Sequence, residues 1–140
     1  MCIRDSMYSK SPIINAGDGG HLHPTQTLTD LVTLSNEKGT LNNLCIGFVG
    51  DLKYGRTVHS LIKTMTRFRA NSFVLVSTPE LALPHYVKDI MDAAGCKYVE
   101  VPTLAEAIPM CDVLYKMCIR DSFKPSCTTL GPQLSNRTML

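Results

Sequence analysis

The chain has 140 residues, 44% of them hydrophobic and 19% charged, with a net charge of +2. That length suits one domain with a real core. The scattered basic residues leave no electrostatic footprint for nucleic acid, and no apolar run approaches the roughly 18 residues of a membrane span. The amino end lacks the apolar core of a secretory signal, so a cytoplasmic location is expected.

Residues 1–6 read MCIRDS, and so do residues 117–122. A structural repeat would keep resembling itself beyond the hexapeptide. Here MYSKSP follows one copy and FKPSCT the other. Both copies read as a foreign tag or sequence-assembly artefact, to be set apart from fold reasoning. On that reading the folded segment is 7–116. The stretch 123–140, rich in Ser, Thr and Pro without periodicity, is expected to be an unfolded tail.

Residues 11–16 (SPIINA) read as a short strand ending in the turn Gly17-Asp18-Gly19-Gly20. His21-Leu22-His23-Pro24 follows, with Pro24 suited to the first position of a helix. Leu28, Leu31, Val32 and Ser35 mark one face of that helix, and Gly39 is its stop. The apolar run 44–49 is a strand bounded by Gly50 and Asp51. A short polar turn leads into a helix over 55–68, with Val58, Leu61, Ile62, Met65 and Phe68 on its apolar face.

Residues 72–77 (SFVLVS) are a second buried strand, and 79–83 a single short turn. The segment HYVKDIMDAAG is a helix stopped by Gly95, and 97–101 is a third strand. Thr103 caps a helix running to about Met110, with Glu106 placed for a capping box. Residues 112–115 (DVLY) are a fourth strand. The alternation predicts an α/β fold: a Rossmann-like parallel sheet with helices on both faces.

Cysteines stand at 2, 45, 96, 111, 118 and 127. None forms a C-x-x-C pair or a zinc-like spacing, so neither a disulfide framework nor a metal is expected, and Cys45 reads as a buried free thiol. Polar residues gather at three turns: 15–20, 21–26 and 51–59. The third holds Asp51, Lys53, Arg56 and His59 at the carboxyl end of a strand, where open α/β sheets bind ligands. An arginine in the first turn of a helix suits a carboxylate or phosphate. Pattern alone favours an ordinary connection with solvated charges.

The runs NAGDGGHLHPTQTLTDL and GDLKYGRTVHSL resemble the aspartate-binding half of the catalytic chain in the aspartate carbamoyltransferase family. HPTQ at residues 23–26 is shared by the wider aspartate/ornithine group. GDLKYGRTVHS is more specific, because ornithine-type chains are similar there to a different, asparagine-rich sequence. The resemblance covers about 11–115.

The resemblance implies transfer of the carbamoyl group of carbamoyl phosphate to L-aspartate, an early step of pyrimidine synthesis, with no cofactor and no metal. It assigns His23 to the carbamoyl carbonyl oxygen and Gln26 to the carbamoyl amino group. It assigns Arg56 to an aspartate carboxylate. Asp51, Lys53 and Tyr54 are implied to position the loop or to meet neighbouring domains, and His59 to be structural. A homotrimer with active sites between subunits is implied too, with regulatory chains as candidate partners; nucleic acid and membranes are not.

The sequence departs from that family in several places. The phosphate-gripping Ser-Thr-Arg-Thr motif is nowhere in it, and MCIRDS stands where a loop completing the aspartate site is expected after DVLYK. The segment 7–116 is therefore expected to be a truncated second domain, inactive alone. The alternative is a non-catalytic amino-acid-binding or interaction module derived from such an enzyme. A nucleotide-binding domain is disfavoured, since no G-x-G-x-x-G follows a strand.

Overall fold

The computed structural model describes residues 8, 10–17, 22–116 and 138–139. Its elements in chain order are α1 (Pro24–Lys38), β1 (Cys45–Val49), α2 (Arg56–Met65), β2 (Ser72–Val76), α3 (His85–Ala93), β3 (Lys97–Val101), α4 (Leu104–Ala107), β4 (Val113–Lys116) and β5 (Thr138–Met139). Short 3-10 turns occupy Pro79–Leu81 and Ile108–Met110. The strands lie in the order β3-β2-β1-β4-β5, every pair parallel. β1 is thus central, pairing with β2 from Cys45↔Ser72 and with β4 from Ile46↔Val113.

A central parallel strand is covered on both faces and so must be apolar throughout, as CIGFV is. Its alternate residues divide the core in two. Ile46 and Phe48 join Phe73, Leu75, Val113 and Tyr115 on one face, beneath Leu34 of α1, Val58, Leu61, Ile62 and Met65 of α2, and Val87 and Met91 of α3. The Phe48 ring lies 6.1 Å from Phe73 and 5.7 Å from Tyr115 between ring centres. The other face is smaller: Val74, Val76 and Leu114 meet Ala107, Ile108 and Cys111. Helices cover both faces of the sheet, as the alternation implied.

Each boundary has a local cause. Gly39 ends α1 at φ 68°, donating its N–H to the Ser35 carbonyl. Thr103 Oγ1 accepts the Glu106 N–H at 3.4 Å, the expected cap, and its hydroxyl donates to Glu106 Oε1 at 2.7 Å, so that the glutamate side chain meets the threonine side chain where a capping box would have it meet the backbone N–H. Buried Asn71 satisfies three backbone groups where α2 ends and β1 begins. Its Nδ2 donates to the Leu41 and Met65 carbonyls, each at 3.0 Å, and its Oδ1 accepts the Leu44 N–H at 2.9 Å.

The structure corrects three expectations. Residues 11–16 form no strand; they run exposed and pair with none of the described strands, so their apolar composition is left without a partner. The inward face of α1 is Thr27, Asp30 and Leu34, with Leu31 half-buried, whereas Leu28 (61% exposed) and Val32 (59%) face outward and Ser35 is exposed. A polar network described below, rather than an apolar stripe, turns that helix. Cys45 is half-buried rather than buried, since little covers the small face at the start of β1.

The turn residues 18–21, both MCIRDS copies and 123–137 lie outside the described residues. Thr138–Met139, within the stretch expected to be a tail, run beside Val113 and Leu114. The open edge of β4 offers them backbone groups to pair with.

The sheet has one close approach. A Cβ added at Gly47 would stand 2.6 Å from Cys111 Sγ and 2.9 Å from Leu114 Cδ2. Gly47→Ala is therefore expected to destabilise the chain by about 1–3 kcal/mol through overpacking. Thermal melts of parent and variant check this, and an unchanged midpoint would show that the Cys111 segment yields freely.

Candidate active site

The site starts at the amino end of α1. Pro24 opens the helix and His23 is its cap: His23 Nδ1 accepts the Gln26 backbone N–H at 3.3 Å, with Thr25 Oγ1 3.4 Å away. A ring nitrogen that accepts an N–H carries no proton. In the neutral imidazole the proton is then on Nε2, making that atom a donor. The backbone cap thus selects a donating tautomer.

The Gln26 side chain is oriented by Asp30, one turn further on. Its Nε2 donates to Asp30 Oδ1 at 2.9 Å, which leaves Oε1 as the group able to accept a hydrogen bond. Asp30 is buried, with Oδ2 lacking a well-formed partner although the Tyr115 hydroxyl is near. Burial pushes its carboxyl up, against the pull of Gln26 and Tyr115. Burial also raises the Tyr115 phenol, partly offset by the Thr57 hydroxyl. Asp30 and Tyr115 link α1 to β4, and Thr57 extends the link to α2.

Arg56 is the first residue of α2, following Gly55. It is joined to His23 through Ser60. The His23 backbone N–H donates to Ser60 Oγ at 3.0 Å, and the Ser60 hydroxyl donates to the Arg56 carbonyl at 2.8 Å. One serine therefore fixes two helix starts that are far apart in sequence.

The turn before Arg56 is built by its own side chains and backbone. Asp51 Oδ1 accepts the N–H groups of Lys53 at 3.1 Å and Tyr54 at 2.9 Å. Gly50, at φ 116°, donates to the Val76 carbonyl, and Leu52 donates to the Leu81 carbonyl at 3.1 Å. Lys53 and Tyr54 are exposed, the ammonium lying 5.2 Å from the Tyr54 ring centre.

His59 points into the core instead of joining these groups. Its Nε2 lies 2.7 Å from the Leu52 carbonyl, which can only accept, so Nε2 carries the proton. Nδ1 then accepts from the Tyr86 hydroxyl at 2.9 Å. Burial holds the His59 pKa below its usual value of 6.5, outweighing the Leu52 carbonyl.

The native imidazole is thus neutral, while the unfolded chain takes up a proton near pH 6.5. The stability His59 contributes is complete above about pH 6.5 and is lost as pH falls from there through the folded value. Asp30 works the other way, its contribution fading as pH rises through its raised pKa. His59→Gln is expected to be destabilised at pH 7.5, with its gap to the parent narrowing towards pH 5. Melts of both proteins check this, and a gap constant with pH would refute it.

The structure therefore links His23, Gln26 and Arg56 through Ser60, Asp30 and Tyr115, and sets Asp51, Lys53 and Tyr54 in the adjoining turn. His21 lies outside the described residues. Ser60, Asp30, Tyr86 and Tyr115 were missed by sequence reasoning. The available signal was polar residues on otherwise buried faces, Asp30 standing four residues after Gln26 and Ser60 beside Leu61 and Ile62. Among the described residues no group of three or more His, Cys, Asp or Glu is placed to hold a metal ion, and no helix is long and apolar enough to cross a membrane.

Known proteins resemble this chain in sequence and in fold. Residues 3–36 match the family described as aspartate/ornithine carbamoyltransferase, carbamoyl-P binding domain. The aspartate carbamoyltransferase catalytic subunit of Clostridium kluyveri is 56% identical over 110 residues, covering 79% of this chain and 36% of that protein. The subunit of the same name from Lachnoclostridium phytofermentans is also 56% identical, over 111 residues.

Among solved structures, the catalytic subunit of M. jannaschii aspartate transcarbamoylase superposes with a TM-score of 0.76 at 47% identity, covering 79% of this chain and 36% of that one. The Trypanosoma cruzi enzyme in complex with aspartate and phosphate superposes at 0.72 and 33% identity, covering 84% and 40%. This chain thus spans about a third of the length of the curated relatives it matches.

Proposed function

Because this chain belongs to the aspartate/ornithine carbamoyltransferase family, as a piece of its catalytic chain, we propose that its residues serve carbamoyl transfer from carbamoyl phosphate to L-aspartate. The products are N-carbamoyl-L-aspartate and phosphate, feeding pyrimidine synthesis. Residues up to 36 take the carbamoyl-phosphate side, following the family match, and the sheet from β1 to β4 takes the aspartate side. The complete enzyme is a cytoplasmic homotrimer to which regulatory chains can add. A non-catalytic binding module is not favoured, since the relatives matched at 56% identity over 110 residues are catalytic subunits.

One observation carries the reading: a donating His23 and an Arg56 fixed to the same serine. His23 Nε2–H donates to the carbamoyl oxygen, which gains negative charge as the amine attacks; a preformed donor there favours the transition state. Gln26 Oε1 accepts from the carbamoyl amino group and fixes its rotation. The Arg56 guanidinium grips an aspartate carboxylate with two parallel N–H groups. Holding both reactants in one geometry supplies the rest of the acceleration, without a covalent intermediate.

The test is a chimera in which residues 11–115 replace the matched stretch of the Clostridium kluyveri subunit. It is expected to form N-carbamoyl-L-aspartate, whereas the 140-residue chain alone is expected to show no turnover above background. A folded, assembled chimera without turnover would overturn the proposal.

A further inference from the structure

On the small face of the sheet, away from the site above, two cysteines meet. Cys45 begins β1 and Cys111 immediately precedes the entry to β4, and both belong to the cluster around Val74, Ala107 and Leu114. The backbone aligns the two segments: the Asp112 N–H donates to the Cys45 carbonyl at 2.8 Å, and the Cys45 N–H donates to Asp112 Oδ2 at 2.9 Å. Gly47, two residues along β1 and on the same face, leaves the space that Cys111 Sγ fills. Both side chains therefore pack on one cluster, with the Cys111 thiol close enough to influence that of Cys45. Cys45 is half-buried, open to a small reagent, and Cys111 is buried behind it.

We propose that Cys45 and Cys111 form a thiol–disulfide exchange site for low-molecular-weight disulfides, Cys45 being the attacking and Cys111 the resolving thiol. In the first step the Cys45 thiolate attacks one sulfur of RSSR, forming a Cys45–SR bond and releasing RS⁻. In the second step Cys111 loses its proton to solvent and its sulfur attacks Cys45 Sγ. The Cys45–Cys111 bond forms and the second RS⁻ leaves. The protein dithiol is oxidised by two electrons and the small disulfide is reduced to two thiols. The link closes the loop from 45 to 111, which carries the turn at 50–56.

The neighbouring thiols differ in readiness. The Cys111 thiol holds that of Cys45 down at about 6, against burial and the nearby Asp112 carboxylate, which favours the Cys45 thiolate. Burial pushes half-buried Cys96 up instead. Since nucleophilicity falls along with pKa, the advantage in rate is moderate, roughly fivefold or more.

The test uses the 140-residue chain, native at pH 7, with glutathione disulfide as probe, followed by alkylation and tryptic mapping without reduction. Cys45 lies alone in peptide 39–53, Cys111 alone in 98–116, and Cys96 in 89–97. The expected product is 39–53 linked to 98–116, formed roughly fivefold or more faster than any adduct on 89–97. In Cys111→Ser the reaction is expected to stop at glutathione on 39–53, and in Cys45→Ser peptide 98–116 is expected to stay reduced. Circular dichroism matching the parent confirms that each variant is folded. A lasting glutathione adduct on Cys45 of the parent, preferential reaction at Cys96, or a link from Cys45 to any other cysteine would overturn the proposal. So would a link that forms only in guanidinium. None of these readouts depends on carbamoyl transfer.

Discussion

Arg56→Ala, made in the chimeric full-length subunit, is expected to lower kcat/KM for L-aspartate by roughly 10²–10⁴-fold. Two charge-assisted hydrogen bonds to one carboxylate are worth about 1.5–3 kcal/mol each, and alanine removes both. The Ser60 contact is expected to survive, because it is made to the Arg56 backbone carbonyl and not its side chain. The effect should fall on aspartate rather than carbamoyl phosphate. Arg56→Lys keeps the charge but loses the fork and is expected to recover only a small part. Steady-state kinetics with each substrate varied in turn make the measurement. A variant within threefold of the parent would remove Arg56 from the aspartate site.

His23→Ala carries two separable losses. The donor aimed at the carbamoyl oxygen disappears, which by analogy with other preformed donors costs roughly 10²–10³ in kcat. The helix cap disappears with it, at about 1 kcal/mol of stability. His23→Asn tells them apart, because asparagine caps well but does not reproduce the Nε2 donor. The asparagine variant is expected to melt near the parent and to remain as slow as the alanine variant. If asparagine restores kcat, the His23 ring acts only as a cap.

Much of the fold was legible because parallel strands announce themselves. The apolar runs ending at Val49, Val76 and Tyr115 became β1, β2 and β4, and Gly39 and Gly95 ended helices at positive φ as expected. The short stretch at 11–16 has the composition of a strand, but pairing depends on a neighbour that composition does not contain. The face of α1 was misjudged for a related reason. Leu28 and Val32 have the spacing of a core stripe, yet the inward position goes to Asp30, which Gln26 holds there beside Tyr115.

The site divides in the same way. His23, Gln26, Arg56 and Asp51 lie in motifs that are continuous in sequence and could be read there. Ser60 connects His23 to Arg56 only after α1 and α2 pack, and nothing in the order of residues marks that contact. His59 sat among charged neighbours in the sequence, and helical phase alone turned it inward towards Leu52 and Tyr86.

The central place of β1 also sets a timetable for the nascent chain. One side of β1 can pair as soon as β2 follows α2, but its other side waits for β4, whose register begins Ile46↔Val113. At a ribosomal pace of about 5–20 residues per second, those roughly 70 residues take roughly 3–14 seconds to make. Throughout that interval one row of N–H and C=O groups on the central strand of the sheet is open to whatever chain or chaperone arrives first.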